Sequence, residues 1–261
     1  MGPGAVFRGI VARLLPTPFL DDRDSDKPAR LRRYGDVGIE GGLLSTANAL
    51  NDEGTYVVTT NPTIGTGFTF VAAQTAFSDT APNIYIQNNE QSLNVTGRAL
   101  YLHYIRLLAS AAATTASSLQ YAIVIDPSPR AITTNNMTLA TLVTPNTAVA
   151  APGSAVVYVQ NNATVTTLAA RSTNARMVAR GAICVATAPA VNALDTFLWT
   201  FGEPMAIPLA AAAAGVAGQT RTAILPPVEL GPNGGNMAMH LWLPASTASF
   251  NPEFEIGFYM K

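Results

Sequence analysis

The stretch 236–244, "NMAMHLWLP", constrains the fold more than any other part of the chain. Side chains alternate along a β-strand. Met237, Met239, Leu241 and Leu243 therefore share one face, and Ala238, His240 and Trp242 share the other. Both faces are largely apolar, whereas a strand with one wet face alternates apolar with polar. Such a strand needs cover on both sides. "RALYLHYIRLLA" makes the same demand, with Leu100, Leu102, Tyr104 and Leu108 on one side and Tyr101, His103, Ile105 and Leu107 on the other. "MVARGAICVAT" is also apolar on both sides. The available layers are an N-terminal arm, the turn-rich segment that follows it, and a neighbouring subunit. A neighbour in that role would make the chain a component of an assembly.

The remaining candidate strands are "TYVVTT", "NIYIQN", "LQYAIVIDP", "AVVYVQNN", "TFLWTFGE", "RTAILPPVEL" and "EFEIGFYMK". They are rich in β-branched and aromatic residues, and turn clusters such as "DPSPR", "APGS" and "GPNGG" separate them. In the last strand Phe254, Ile256, Phe258 and Met260 share a face opposite Glu255, Gly257, Tyr259 and Lys261. Helical periodicity is scarce, because Gly, Thr and Ser dilute the alanine runs. The pattern predicts an all-β chain: an antiparallel β-sandwich, jelly-roll-like, with an extended N-terminal arm. Residues 1–35 form the arm, 36–97 a turn-rich β segment packed on the sandwich, and 98–261 the jelly-roll core.

The arm carries the partner expectation. About half of the charged residues fall in the first 53 positions, and no lysine stands between Lys27 and Lys261. A segment with prolines, a charge run and no sustained period stays ordered only if something holds it. Phe7, Ile10, Leu14, Leu15, Phe19 and Leu20 are its apolar anchors; Arg23, Arg30, Arg32 and Arg33 offer cations to an acidic partner. Charged residues make up only 12% of the chain, about half the usual share, which suits a surface buried in an assembly. The net charge of -1 supplies no basic field for nucleic acid. No apolar run is long enough for a membrane helix, and no cleavable leader is evident, so a soluble protein is expected.

No catalytic motif emerges. Asp22, Asp24 and Asp26 have calcium-loop spacing, but Lys27 stands where that loop needs Gly and Arg33 where it needs Glu. "GTGFTF" lacks the third glycine of a dinucleotide fingerprint and reads as a turn. The single cysteine, Cys184, excludes an intrachain disulfide and sits in an apolar run. His103 and His240 lie in strands beside aromatics and read as core or interface residues. Three sequons, at Asn94, Asn136 and Asn162, fit chance in a chain rich in Asn and Thr. No enzyme activity, cofactor or metal is expected.

"RRYGDVGIEGGLLSTANALNDEGTYVVTTNPTIGTG", "AFSDTAPNIYIQNN" and the ending "GPNGGNMAMHLWLP…FEIGFYMK" resemble structural proteins of tailed bacteriophages, of the β-sandwich kind that decorates or cements the head. The resemblance runs over most of 32–261 in layout, and its motifs are turns and strands. It implies a virion protein at the head surface, made in the host cytoplasm. Its partners would be the major capsid protein and its own copies, a homotrimer favoured. The alternative is a phage tail or adhesin-type protein whose β-sandwich binds a receptor or glycan, with exposed aromatics such as Trp199 or Trp242 as its sign. A hydrolase on a β scaffold comes third.

Overall fold

The computed structural model describes residues 55–60, 74–91, 97–109, 117–134, 137–145, 149–160, 167–185, 196–202, 220–244 and 252–261. The described residues hold strands and no helix. The first seven strands are β1 (Thr55–Thr60), β2 (Ile84–Asn88), β3 (Leu100–Ala109), β4 (Ser117–Asp126), β5 (Ile132–Thr134), β6 (Met137–Leu139) and β7 (Ala155–Gln160). The others are β8 (Thr167–Leu168), β9 (Arg176–Val185), β10 (Thr196–Phe201), β11 (Thr220–Leu225), β12 (Glu229–Leu230), β13 (Gly235–Trp242) and β14 (Pro252–Met260). All fall within one compact unit, Glu53–Lys261.

One sheet runs β1-β14-β3-β10-β11, with β12 also paired to β3. The other runs β6-β7-β2-β13-β4-β9. The principal strands pair first with last (β1–β14), then β2–β13, β3–β10 and β4–β9, all antiparallel. That nesting is a long hairpin wrapped into two facing sheets, which is the jelly roll that the strand pattern predicts. The β10–β11 pair is parallel, an exception to the antiparallel rule.

The two inner faces make the main core. Trp199, Phe197, Phe258, Ile105, Leu107, Ile123, Met239 and Leu241 are all fully buried in it. On β14, Phe254, Ile256, Phe258 and Met260 point inward, as the alternation predicts. On β13, Met237, Met239 and Leu241 enter the same core, with Leu243 just beyond the strand.

The second face of β13 is covered by the chain itself. Ala238 joins a smaller cluster with Tyr85, Met137 and Leu168, against which Ile132 and Tyr158 pack. The segment 74–83 lies beside it. Phe77 meets the rings of His240 and Trp242 edge-on, at centroid distances of 5.0 and 5.7 Å. Asn83 closes that segment: its side chain accepts from Leu241 N at 2.6 Å and donates to Gln160 Oε1 at 2.7 Å. The turn-rich region thus supplies the third layer here, and this face offers no argument for a neighbouring subunit.

Two expectations about strand faces change. In β3, Leu100 and Leu102 point inward, but so do Ile105 and Leu107. The register slips between Gly257 and Phe258, which leaves His103 as the extra residue of a β-bulge. A bulge advances the strand by one residue and exchanges the faces beyond it. Tyr104, Arg106 and Leu108 therefore sit on the outer side with Tyr101. In β9, Arg176, Met177, Arg180 and Ala182 are exposed, Met177 at 45%. Among the described residues β9 pairs only with β4 and forms the sheet edge, so its described part is not buried on both faces.

Candidate functional site

The outer face of β1, β14 and β3 gathers aromatic side chains. Register pairs Tyr56 with Tyr259 and Tyr259 with Tyr101, so three tyrosines stand in one row across three strands. Glu229 of β12 ends the row opposite Tyr101. Tyr101 and Tyr259 stack at 5.0 Å with 8° between their planes. Burial and then the Glu229 carboxylate hold the Tyr101 phenol above its ordinary pKa.

The next row holds the bulge. Tyr56 Oη lies 2.8 Å from His103 Nδ1, and the His103 ring meets Tyr56 and Tyr104 edge-on. Burial, then the nearby Glu255 charge, pushes the Tyr56 pKa up to about 12, so the phenol keeps its proton at neutral pH. It donates when His103 carries its proton on Nε2 and accepts when the proton sits on Nδ1. Tyr104, only 5% exposed, donates to Glu255 Oε1 at 2.7 Å. Burial and that hydrogen bond raise its pKa. Arg106 Nη2 donates to Glu255 Oε2 at 2.6 Å and completes the cluster.

Gly257 makes the arrangement possible. A Cβ there would stand 2.3 Å from Tyr104 Cε1 and 2.5 Å from Tyr56 Oη. The missing side chain is the space in which the Tyr104 ring lies. The result is a tyrosine-lined surface in which Tyr56 is tied to His103 and Tyr104 to Glu255 within the fold itself.

Most of the sequence-level candidates lie outside the described residues. The arm anchors Phe7, Ile10, Leu14, Leu15, Phe19 and Leu20, and the cations Arg23, Arg30, Arg32 and Arg33, lie outside the described residues, as do Asp22, Asp24 and Asp26. So do the sequon residues Asn94, Asn136 and Asn162 and the side chain of Cys184. Trp199 is 0% exposed and Trp242 9%, so neither is the exposed aromatic that a glycan site needs. The histidines divide: His103 joins the tyrosine surface and His240 is fully buried under Phe77. Sequence reasoning missed the tyrosine row because register joins residues 56, 101 and 259. The usable signal was Tyr259 on the wet side of the alternating last strand. No protein-family model, curated protein or solved structure matches the chain.

Proposed function

We propose that the chain is a structural virion protein that decorates and cements a bacteriophage head by binding the major capsid protein shell, as a homo-oligomer with a trimer favoured. It resides at the head surface and has no catalytic role. The tyrosine row on the outer face of β1, β14 and β3 carries this reading. Jelly rolls host shells, lectins and enzymes alike, so the fold alone decides little. Tyrosine and arginine, however, are the residue types that concentrate binding energy at protein interfaces. Here Tyr56, Tyr101, Tyr259 and Arg106 share one face, with the buried Tyr104 beneath supporting it. The arm, with its apolar anchors, supplies a second attachment.

The half-buried tyrosines also suit a second reading, a receptor- or glycan-binding tail protein. Tyr101 and Tyr259 stack on each other, so each covers one ring face of its neighbour. Less open ring face is left for a sugar, which places the protein partner first. The test is to titrate purified chain onto particles lacking it. Tyr101→Ala/Tyr259→Ala is expected to lower occupancy at least tenfold with an unchanged far-UV spectrum. Full occupancy by the variant, or binding to glycans and not to particles, would overturn the reading.

A further inference from the structure

We propose that the segment 74–83 is an acid-operated strap, which protonation of His240 releases from the outer face of the second sheet. His240 is 0% exposed and neither ring nitrogen has a hydrogen-bond partner. Phe77 of the strap closes over it. Backbone groups of Ala81 and Ser78 face the ring, but neither meets hydrogen-bond geometry. An imidazolium in this place would carry two N–H donors beside carbonyls that already accept elsewhere, Ala81 O from Gln74 Nε2 and Ser78 O from Ala81 N, and a buried, poorly partnered charge is strongly disfavoured.

The charged surroundings do not rescue it. Asp79 on the strap lies 3.5 Å from Arg130, which follows β4, and 3.7 Å from Arg171, which follows β8. One carboxylate thus already serves two cations, and Arg130 is itself buried. From β4, Ala122 stands beside His240, and Asp126 further along is taken up by Ser128 and Ser172. Tyr85 of β2 is a neutral phenol, its pKa pushed up to about 12 chiefly by burial. Burial likewise moves His240 down from 6.5 to about 4, with Asp79 offsetting part of the effect.

The strap is the part that can yield. Away from Asn83 it is tied by Gln74 O to Leu243 N at 3.1 Å, Thr80 O to Leu168 N at 2.7 Å and Asp79 O to Arg130 Nη2 at 2.8 Å, and by the Asp79 carboxylate to Arg130 and Arg171, pairs that opening must exchange for water. Asn83 is fastened on four sides, through Met239, Leu241 and twice through Gln160, and is placed to act as the hinge. Lifting the strap hydrates His240 and leaves the inner faces of both sheets packed. With pKa values of about 4 closed and 6.5 open, the opening equilibrium rises about 20-fold from pH 7 to pH 5.

Hydrogen exchange on the full chain tests this, with protection factors corrected for intrinsic rates. Strap protection is read at the Leu168 and Leu243 amides, which donate to Thr80 O and Gln74 O of the strap; at pH 5 it is expected to fall about 20-fold relative to pH 7, while β3 and β14 keep theirs. His240→Phe is expected to remove the pH effect. Unchanged strap protection in the wild type, an equal loss in the variant, or an equal loss in β3 and β14 would overturn the proposal. If the variant does not fold, the wild type still decides. The chain has two histidines, so ring titration by NMR is resolvable. Titration of His240 near 6.5 with the strap still protected would refute the device.

Discussion

Replacing Gly257 by alanine probes whether the tyrosine surface is packed as tightly as described. The new methyl group would sit 2.3 Å from Tyr104 Cε1, 2.9 Å from Tyr104 Cδ1 and 2.5 Å from Tyr56 Oη. Tyr104 has little room to retreat, because its ring is buried and its hydroxyl is tied to Glu255. Overpacking of this kind costs about 1–3 kcal/mol. Stretching the Tyr104–Glu255 bond adds up to about 1 kcal/mol, and alanine recovers about 0.5–1 kcal/mol over glycine inside a strand. The net expectation is a destabilisation of about 2 kcal/mol, read as a lower urea midpoint at constant m-value. The cause is isolated by repeating Gly257→Ala in a Tyr104→Ala/Tyr56→Phe background, where the cost should fall below about 0.5 kcal/mol. A neutral or stabilising Gly257→Ala in the wild type would refute the packing argument. So would an equal cost in both backgrounds.

Asn83→Ala leaves the Leu241 amide and the Gln160 side chain without their buried partner and should cost about 2–4 kcal/mol in the same assay. His240 is neutral in the fold, so between about pH 4 and 6.5 the unfolded chain binds the extra proton. Its contribution is complete above pH 6.5 and shrinks by about 3 kcal/mol as the pH falls to 4, a slope that denaturation of His240→Phe should lack. Deleting residues 1–33 should leave the melting temperature of the β unit nearly unchanged while particle occupancy drops. Unfolding of the truncated chain, with occupancy per folded molecule unchanged, would place the arm in its own core.

The sandwich was legible wherever one strand carried its own pattern. The last strand alternates Phe254, Ile256, Phe258 and Met260 against Glu255, Gly257 and Tyr259, and both faces fall as expected. The "GPNGG" turn was readable too, since Asn233 and Gly234 adopt the positive φ angles, 64° and 95°, that these residue types tolerate. The double burial of β13 was correctly expected, and the cover proved to be Phe77, Leu168 and their neighbours. The β3 faces were misread because a bulge depends on how a strand meets its partner, and nothing within "RALYLHYIRLLA" marks His103 as the extra residue. The apolar run of β9 gave no sign that it forms a sheet edge, for the same reason. The tyrosine surface needed the register that sets Tyr56 and Tyr101 beside Tyr259, and the His240 pocket needed the packing of Phe77 on its ring; both join residues more than a hundred positions apart.

The most direct test of the proposed function is a density map of the virus particle at a resolution that separates strands. The expected map shows this jelly roll on the head, repeated in fixed ratio to the major shell protein, with Tyr56, Tyr101 and Tyr259 facing that shell. Finding the chain only in the tail, or finding it on the head with the β1-β14-β3 face open to solvent, would contradict it.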